Sequence, residues 1–167
     1  MADCFEPVAG ADARVLVLGS VPGEASINAG RYYAHPRNTF WPVMETILGA
    51  GSTLGYSARI DLLLQSRVAL WDVLAAAERQ GSLDSAIAVG SEVPNDIPGF
   101  LDTHPDITHV FFNGSKAESA FKRHFVGWMP AAGVEFVRLP STSPANAAWS
   151  PAAKSEAWRT VADAARE

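Results

Sequence analysis

Arg14-Val15-Leu16-Val17-Leu18, followed at once by Gly19-Ser20-Val21-Pro22-Gly23, decides the fold. An unalternated apolar run that stops at Gly and Pro reads as a strand buried on both faces, the kind found inside parallel sheets. Three similar runs lie downstream: Arg67-Val68-Ala69-Leu70-Trp71, His109-Val110-Phe111-Phe112 and Val134-Glu135-Phe136-Val137-Arg138-Leu139. The last alternates more and reads as an edge strand. Helical stripes separate the runs. Phe40, Val43, Met44, Ile47 and Leu48 share one helix face. Ala117, Ala120, Phe121 and Phe125 do the same behind a capping-box pattern, Ser115-x-x-Glu118. Ser150-Pro151 opens a C-terminal helix with Trp158, Val161 and Ala165 on one face. Strands alternating with helices imply right-handed crossovers. The expected class is α/β: a three-layer α/β/α sandwich around a central, mostly parallel four-stranded sheet.

Composition narrows the class. The chain has 167 residues, enough for one domain spanning 1–167 with a substantial core. Hydrophobic residues make up 48% and charged residues 19%, a balance that excludes disorder. Cys4 is the only cysteine, so there is no internal disulfide framework, four-cysteine zinc site or cysteine-ligated cluster. No apolar run approaches the ~18 residues of a membrane span, and Met1–Glu6 lacks a signal-peptide pattern. The expectation is a soluble, cytoplasmic monomer (nucleoid-associated if bacterial) that engages no membrane.

The net charge of −5 is unevenly placed. Gly81–Asp106 carries five of the 18 acids and none of the 13 basic residues, and the remainder balances. Lys116, Lys122, Arg123 and His124 lie close together, as do Arg31 and Arg37, leaving room for one weakly basic face. Charge alone does not give tight, sequence-independent DNA binding. The Gly- and Pro-bearing stretch Gly81–Gly99 reads as a surface excursion.

Ligands of open parallel sheets bind at the carboxyl ends of the strands. Gly19–Asn38, Asp72–Val73, Asn113–Lys116 and Pro140–Asn146 should therefore converge. The first loop, with Ser20 and Val21, lets backbone amides approach a ligand closely, though strand-ending turns look similar. In the second, Tyr32-Tyr33-Ala34-His35-Pro36-Arg37-Asn38-Thr39-Phe40-Trp41, an aromatic can stack on a base and Arg37 can hold phosphate. Its alternative is a structured loop with both tyrosines packed inward and Asn38 or Thr39 capping the next helix. Asp72 can accept hydrogen bonds from a base edge or cap a following helix. Asn113, before Gly114-Ser115-Lys116, offers a donor and an acceptor, or forms an Asn-Gly turn. Pro140-Ser141-Thr142-Ser143-Pro144-Ala145-Asn146 supplies hydroxyls for phosphate contacts or capping. Asn95, in its Pro94-Asn95-Asp96 turn, is explained by turn chemistry.

His35, His104, His109 and His124 are scattered, without metal-ligand spacing, so no metal and no cofactor is expected. Ser20 and Ser141 lack a triad context. The glycine turn lacks the phosphate-loop and dinucleotide patterns.

In order, these loops resemble the uracil-DNA glycosylase superfamily over residues 13 to 165. Gly19-Ser20-Val21-Pro22-Gly23 is similar to its first motif, Gly-x-Asn/Asp/Glu-Pro-Gly/Tyr. Tyr33-Ala34-His35-Pro36-Arg37-Asn38-Thr39-Phe40-Trp41 resembles the Phe-Ala-His-Pro-x-Asn-x-Phe-Trp stretch of its mismatch-specific uracil/thymine branch. Leu139-Pro140-Ser141-Thr142-Ser143-Pro144 stands where the second motif, a His- or Asn-Pro-Ser loop, is found. Two departures, Val21 for the polar catalytic residue and Ser141 for His or Asn, make the hypoxanthine-DNA glycosylase branch the nearest resemblance.

That resemblance implies a monofunctional glycosylase acting on DNA with a deaminated base, hypoxanthine and secondarily uracil, in base excision repair. It implies Asn38 and Asn113 as catalytic residues that position water or donate to the leaving base. Ser20, Val21, Tyr33 and Asp72 would bind the base, with Tyr33 stacked on it. His35, Arg37, Lys116, Ser141, Thr142, Ser143 and Asn146 would meet the DNA. The Ser141–Asn146 loop carries no Leu or Arg wedge, which implies modest DNA affinity. Competing readings are a mismatch-specific uracil/thymine glycosylase, an inactive nucleobase- or DNA-binding domain, and an α/β scaffold for protein contacts.

Overall fold

The computed structural model describes residues 5–76, 92–128, 130 and 133–167. In chain order the elements are β1 (Val15–Gly19), α1 (Glu24–Ala29), α2 (Phe40–Ile47), α3 (Tyr56–Gln65), β2 (Val68–Asp72) and β3 (Leu74–Ala76). There follow β4 (Val93–Pro94), α4 (Ile97–Thr103), β5 (His109–Asn113), α5 (Ser115–His124), β6 (Glu135–Leu139) and α6 (Pro151–Ala165).

β1 runs through the middle of the main sheet because it has nothing polar to show water. Val15, Leu16, Val17 and Leu18 are all fully buried. Their neighbours are β2 on one side and β5 on the other, with β6 beyond β5, all parallel. The edge position read for β6 is borne out. The other edge, β2, is partly covered by the N-terminal segment, where Val8 and Leu70 exchange two 2.9 Å backbone hydrogen bonds.

Alternate side chains of β1 feed two cores. Val15 and Val17 pack with Phe40, Met44, Leu63 and Trp158, from α2, α3 and α6. Leu16 and Leu18 pack with Ile97, Phe100, Ala117 and Phe121, from α4 and α5. The result is the expected α/β/α sandwich. Each fully buried aliphatic side chain contributes roughly 1.5–3 kcal/mol, so the doubly covered strand anchors the sheet.

Several elements differ from the sequence reading. α1, α3 and α4 were not expected, nor was the two-stranded antiparallel sheet of β3 and β4. Much of the excursion read over Gly81–Gly99 lies outside the described residues. Of its described residues Val93, Pro94 and Asp96 are exposed, as that reading expects; the last residues enter α4, where Asp96 caps Gly99 at 3.0 Å and Ile97 is fully buried. The Ser115-x-x-Glu118 capping box does not form. Gly114, at φ 92°, takes the N-cap position, and Glu118 turns to Lys122 and Arg138. The Ser150 cap does form, with Ser150 Oγ accepting from the Ala153 amide at 3.1 Å.

The basic cluster at Lys122, Arg123 and His124 is largely neutralised. Glu92 accepts from Arg123 at 2.6 Å and contacts His124 Nε2 at 2.7 Å, while Lys122 pairs with Glu118 at 3.7 Å. Arg31 lies over the Tyr56 ring, 5.3 Å from its centroid. Among the described residues, no helix is long and apolar enough to cross a membrane.

Candidate active site

The four post-strand loops converge on one cavity of about 1100 Å³ at the carboxyl end of the sheet. Every residue expected at the site lines it: Ser20, Val21, Tyr33, His35, Arg37, Asn38, Asp72, Asn113, Lys116, Ser141, Thr142, Ser143 and Asn146.

Asp72 reaches the cavity because it ends β2 in register with Gly19 at the end of β1. Strand β3 begins two residues after it, so the helix-capping reading is overturned. Its side chain is buried, and Asn95 holds its backbone carbonyl from behind at 2.8 Å. Gly19 must be glycine here. A Cβ at that position would sit 2.5 Å from Asp72 Oδ1 and 2.7 Å from the Tyr33 hydroxyl. Two polar groups thus crowd over one stretch of bare backbone.

Tyr33 adopts φ 52°, a left-handed conformation costing on the order of 1 kcal/mol for a non-glycine residue. Its ring stacks on Phe40 at 4.1 Å between centroids, and its hydroxyl accepts from Asn113 Nδ2 at 3.2 Å. One ring face is therefore taken by protein, and the half-buried residue borders the cavity. Tyr32 also borders the cavity. It is buried, donates to the Glu6 carbonyl at 2.8 Å, and burial pushes its phenol far above the usual tyrosine range.

Asn38 both caps and faces the cavity. Its Oδ1 accepts from the Phe40 amide at 2.9 Å, anchoring the start of α2. A backbone amide can only donate, so this contact fixes the carboxamide orientation. The Nδ2 hydrogens make no hydrogen bond among the described residues. They form a held donor pair beside open space. In the same turn, His35 Nδ1 accepts from the Arg37 amide at 3.1 Å.

Asn113 is engaged differently. Its Nδ2 donates to Thr142 Oγ1 at 3.0 Å as well as to Tyr33, and its Oδ1 accepts from the Thr142 amide at 2.9 Å. Both amide hydrogens are thereby committed inside the protein. Thr142 completes the junction: its carbonyl accepts from the Thr39 amide at 3.0 Å and the Thr39 hydroxyl at 3.3 Å. Three loops meet at this one threonine. Thr142, expected among the DNA-contacting hydroxyls, is instead fully buried. The neighbouring hydroxyls shape the turn: Ser141 Oγ accepts from the Ser143 amide and Ser143 Oγ from the Ala145 amide, each at 3.1 Å. Asn146 Nδ2 donates to the Ser141 carbonyl at 3.0 Å. Gly114 allows the two loops to touch, since a Cβ there would lie 2.9 Å from Ser141 Cβ.

Three cavity residues escaped the sequence reading: Phe5, Arg138 and Trp149. Trp149 stands beyond the Ser141–Asn146 loop, which itself carries no Leu or Arg. It is 44% exposed, a large apolar surface at the cavity rim. Its only sequence signal is position, three residues beyond Asn146. Among the described residues no His, Cys, Asp and Glu side chains group as metal ligands.

Comparison with known proteins agrees with this architecture. Residues 7–162 match the family model of the uracil DNA glycosylase superfamily. A hypoxanthine DNA glycosylase of Methanosarcina acetivorans is 34% identical over 158 residues, covering 94% of this chain and 95% of the relative. Another, from Methanosarcina barkeri, is 36% identical over 114 residues, or 68% of this chain and 71% of the relative. The solution NMR structure of a candidate uracil DNA glycosylase from M. acetivorans superposes with a TM-score of 0.79 at 31% identity, covering 99% of both chains. With the sheet order, the loop order and the sequence likeness in accord, the chain belongs to the uracil DNA glycosylase superfamily.

Proposed function

We propose that this protein is a monofunctional DNA glycosylase that removes deaminated bases, hypoxanthine first and uracil second, at the opening of base excision repair. The observation that carries the reading is the pairing, in one cavity, of the outward Nδ2 donors of Asn38 with the buried carboxylate of Asp72. Deamination converts an amino group beside a bare ring nitrogen into a carbonyl beside a ring N–H. A fixed amide donor suits that carbonyl, and a carboxylate suits that N–H. Adenine and cytosine present the reverse pattern and would leave both protein groups facing like partners. The names of the curated relatives support hypoxanthine.

The nucleotide must first leave the helix, costing a few kcal/mol, least at a mispair. The C1′–N bond then breaks, its electron pair departs with the base, the water oxygen bonds to C1′, and one proton of that water passes to the departed base. Negative charge grows on the base carbonyl as the bond breaks. A preorganised donor such as Asn38 is worth roughly 3–4 kcal/mol there. Asp72 adds negative potential toward the cationic sugar. A neutral carboxamide is no general base, so Asn113 acts by holding Tyr33 and Thr142 in place. Arg37, Lys116 and the Ser141–Asn146 turn face the phosphates.

Abasic-site formation on duplexes containing hypoxanthine, uracil, adenine or cytosine tests the reading. Release of hypoxanthine above uracil, with both parents untouched, supports it. Asp72→Asn should narrow the gap between hypoxanthine and adenine. Absence of any base release at high enzyme excess would end it.

A further inference from the structure

Lys154 is the one lysine among the described residues that is buried, at 3% exposure, yet it lies in the first turns of α6. Its burial and its place in the helix both weigh against a charge there. Burial strips its hydration and holds the ammonium below the usual lysine range. The N-terminal end of a helix carries positive partial charge. Its hydrogen bond, to the Ser143 carbonyl, is long at 3.4 Å. That carbonyl already accepts from the Asn146 amide at 3.0 Å, closing the turn that forms one wall of the cavity. A methionine would fill the same space without any of these penalties.

We propose that Lys154 is a positioning residue for DNA, bracing the Ser143–Asn146 turn from beneath and supplying positive potential to a backbone phosphate lying on it. A cation buried beneath a turn, as Lys154 is, is screened less than one on a mobile side chain in water. The unfavourable burial thus becomes useful only when an anion arrives on the far side. The inference rests on the DNA-binding reading above.

The test uses Lys154→Met, which keeps the apolar stem, and Lys154→Gln, which keeps a donor but no charge. Thermal melts and salt series of duplex binding are measured for both beside the wild type. The expected result is melting at or above the wild type with affinity reduced about tenfold. The slope of log K against log salt should flatten by roughly 0.9, the share of one phosphate contact. Weaker binding with an unchanged slope, wild-type binding by Lys154→Gln, or collapse of both folds would each overturn the inference. A wild type without salt-dependent DNA binding would instead overturn the glycosylase reading.

Discussion

Asn113 and Thr142 grip each other at two points: Asn113 Oδ1 accepts the Thr142 amide at 2.9 Å, and Asn113 Nδ2 donates to Thr142 Oγ1 at 3.0 Å. The bond from Nδ2 to the Tyr33 hydroxyl extends the grip to the loop after β1. The two site asparagines therefore divide the labour. The Asn38 donors make no hydrogen bond among the described residues, while Asn113 spends both of its own on the frame.

Removing the frame should be felt in stability and in rate together. Asn113→Ala leaves the amide of the fully buried Thr142 without its acceptor. Such a loss costs about 1–3 kcal/mol. Base release should fall at least tenfold at temperatures where the variant remains folded. Asn113→Asp retains the acceptor for the Thr142 amide, and the Thr142 hydroxyl can turn to donate, so its melting point should lie between the two. Thermal denaturation and single-turnover cleavage read both effects.

Trp149 should matter to DNA and not to the fold. At 44% exposure on the cavity rim, its truncation leaves the cores untouched. Trp149→Ala should melt within about 0.5 kcal/mol of the wild type. Loss of a flat apolar contact with bases should weaken duplex binding about tenfold, in the range seen for base–aromatic stacking. Anisotropy titration at fixed salt is the direct measurement.

The Glu92 cluster sets an acid limit. Burial alone would raise the carboxyl, but hydrogen bonds and charge from Arg123 and His124 outweigh it and hold Glu92 below the usual glutamate value of 4.5. A carboxylate depressed in the folded state stabilises above its unfolded pKa and loses that contribution as pH falls through the folded one. Glu92→Gln should therefore be less stable than the wild type at neutral pH, by up to about 1 kcal/mol given the exposure of Arg123. The difference should vanish well below pH 4.5. Urea unfolding at two pH values checks the sign.

β1, β2 and β5 were legible because they are largely buried and read as continuous apolar runs, whereas β6 alternates, with Glu135 and Arg138 exposed. β1 shows the limit of that signal at its cleanest, with four successive side chains at zero exposure. α2 was legible from its stripe. α3 was not, because Leu62-Leu63-Leu64 lies around the helix and only Leu63 is fully buried. α4 hid behind Pro98 and Gly99, which read as turn residues, while Ile97 and Phe100 do the packing. At the site, the order of the loops identified the lining residues. It did not say which of three successive hydroxyl residues turns inward. That choice falls on Thr142 because Asn113, 29 residues away, receives it. Trp149 was missed for a similar reason, since its place on the rim follows from how the chain enters α6.

The central claim concerns the Asn38 donors, and Asn38→Asp isolates them. The aspartate keeps an oxygen for the Phe40 amide and so preserves the start of α2, but it has no hydrogens to offer a departing base. Single-turnover cleavage of a hypoxanthine-containing duplex should show release by the wild type and at least a hundredfold slower release by the variant, at closely matched melting temperatures. A variant that is equally stable and cleaves as fast as the wild type would contradict the account.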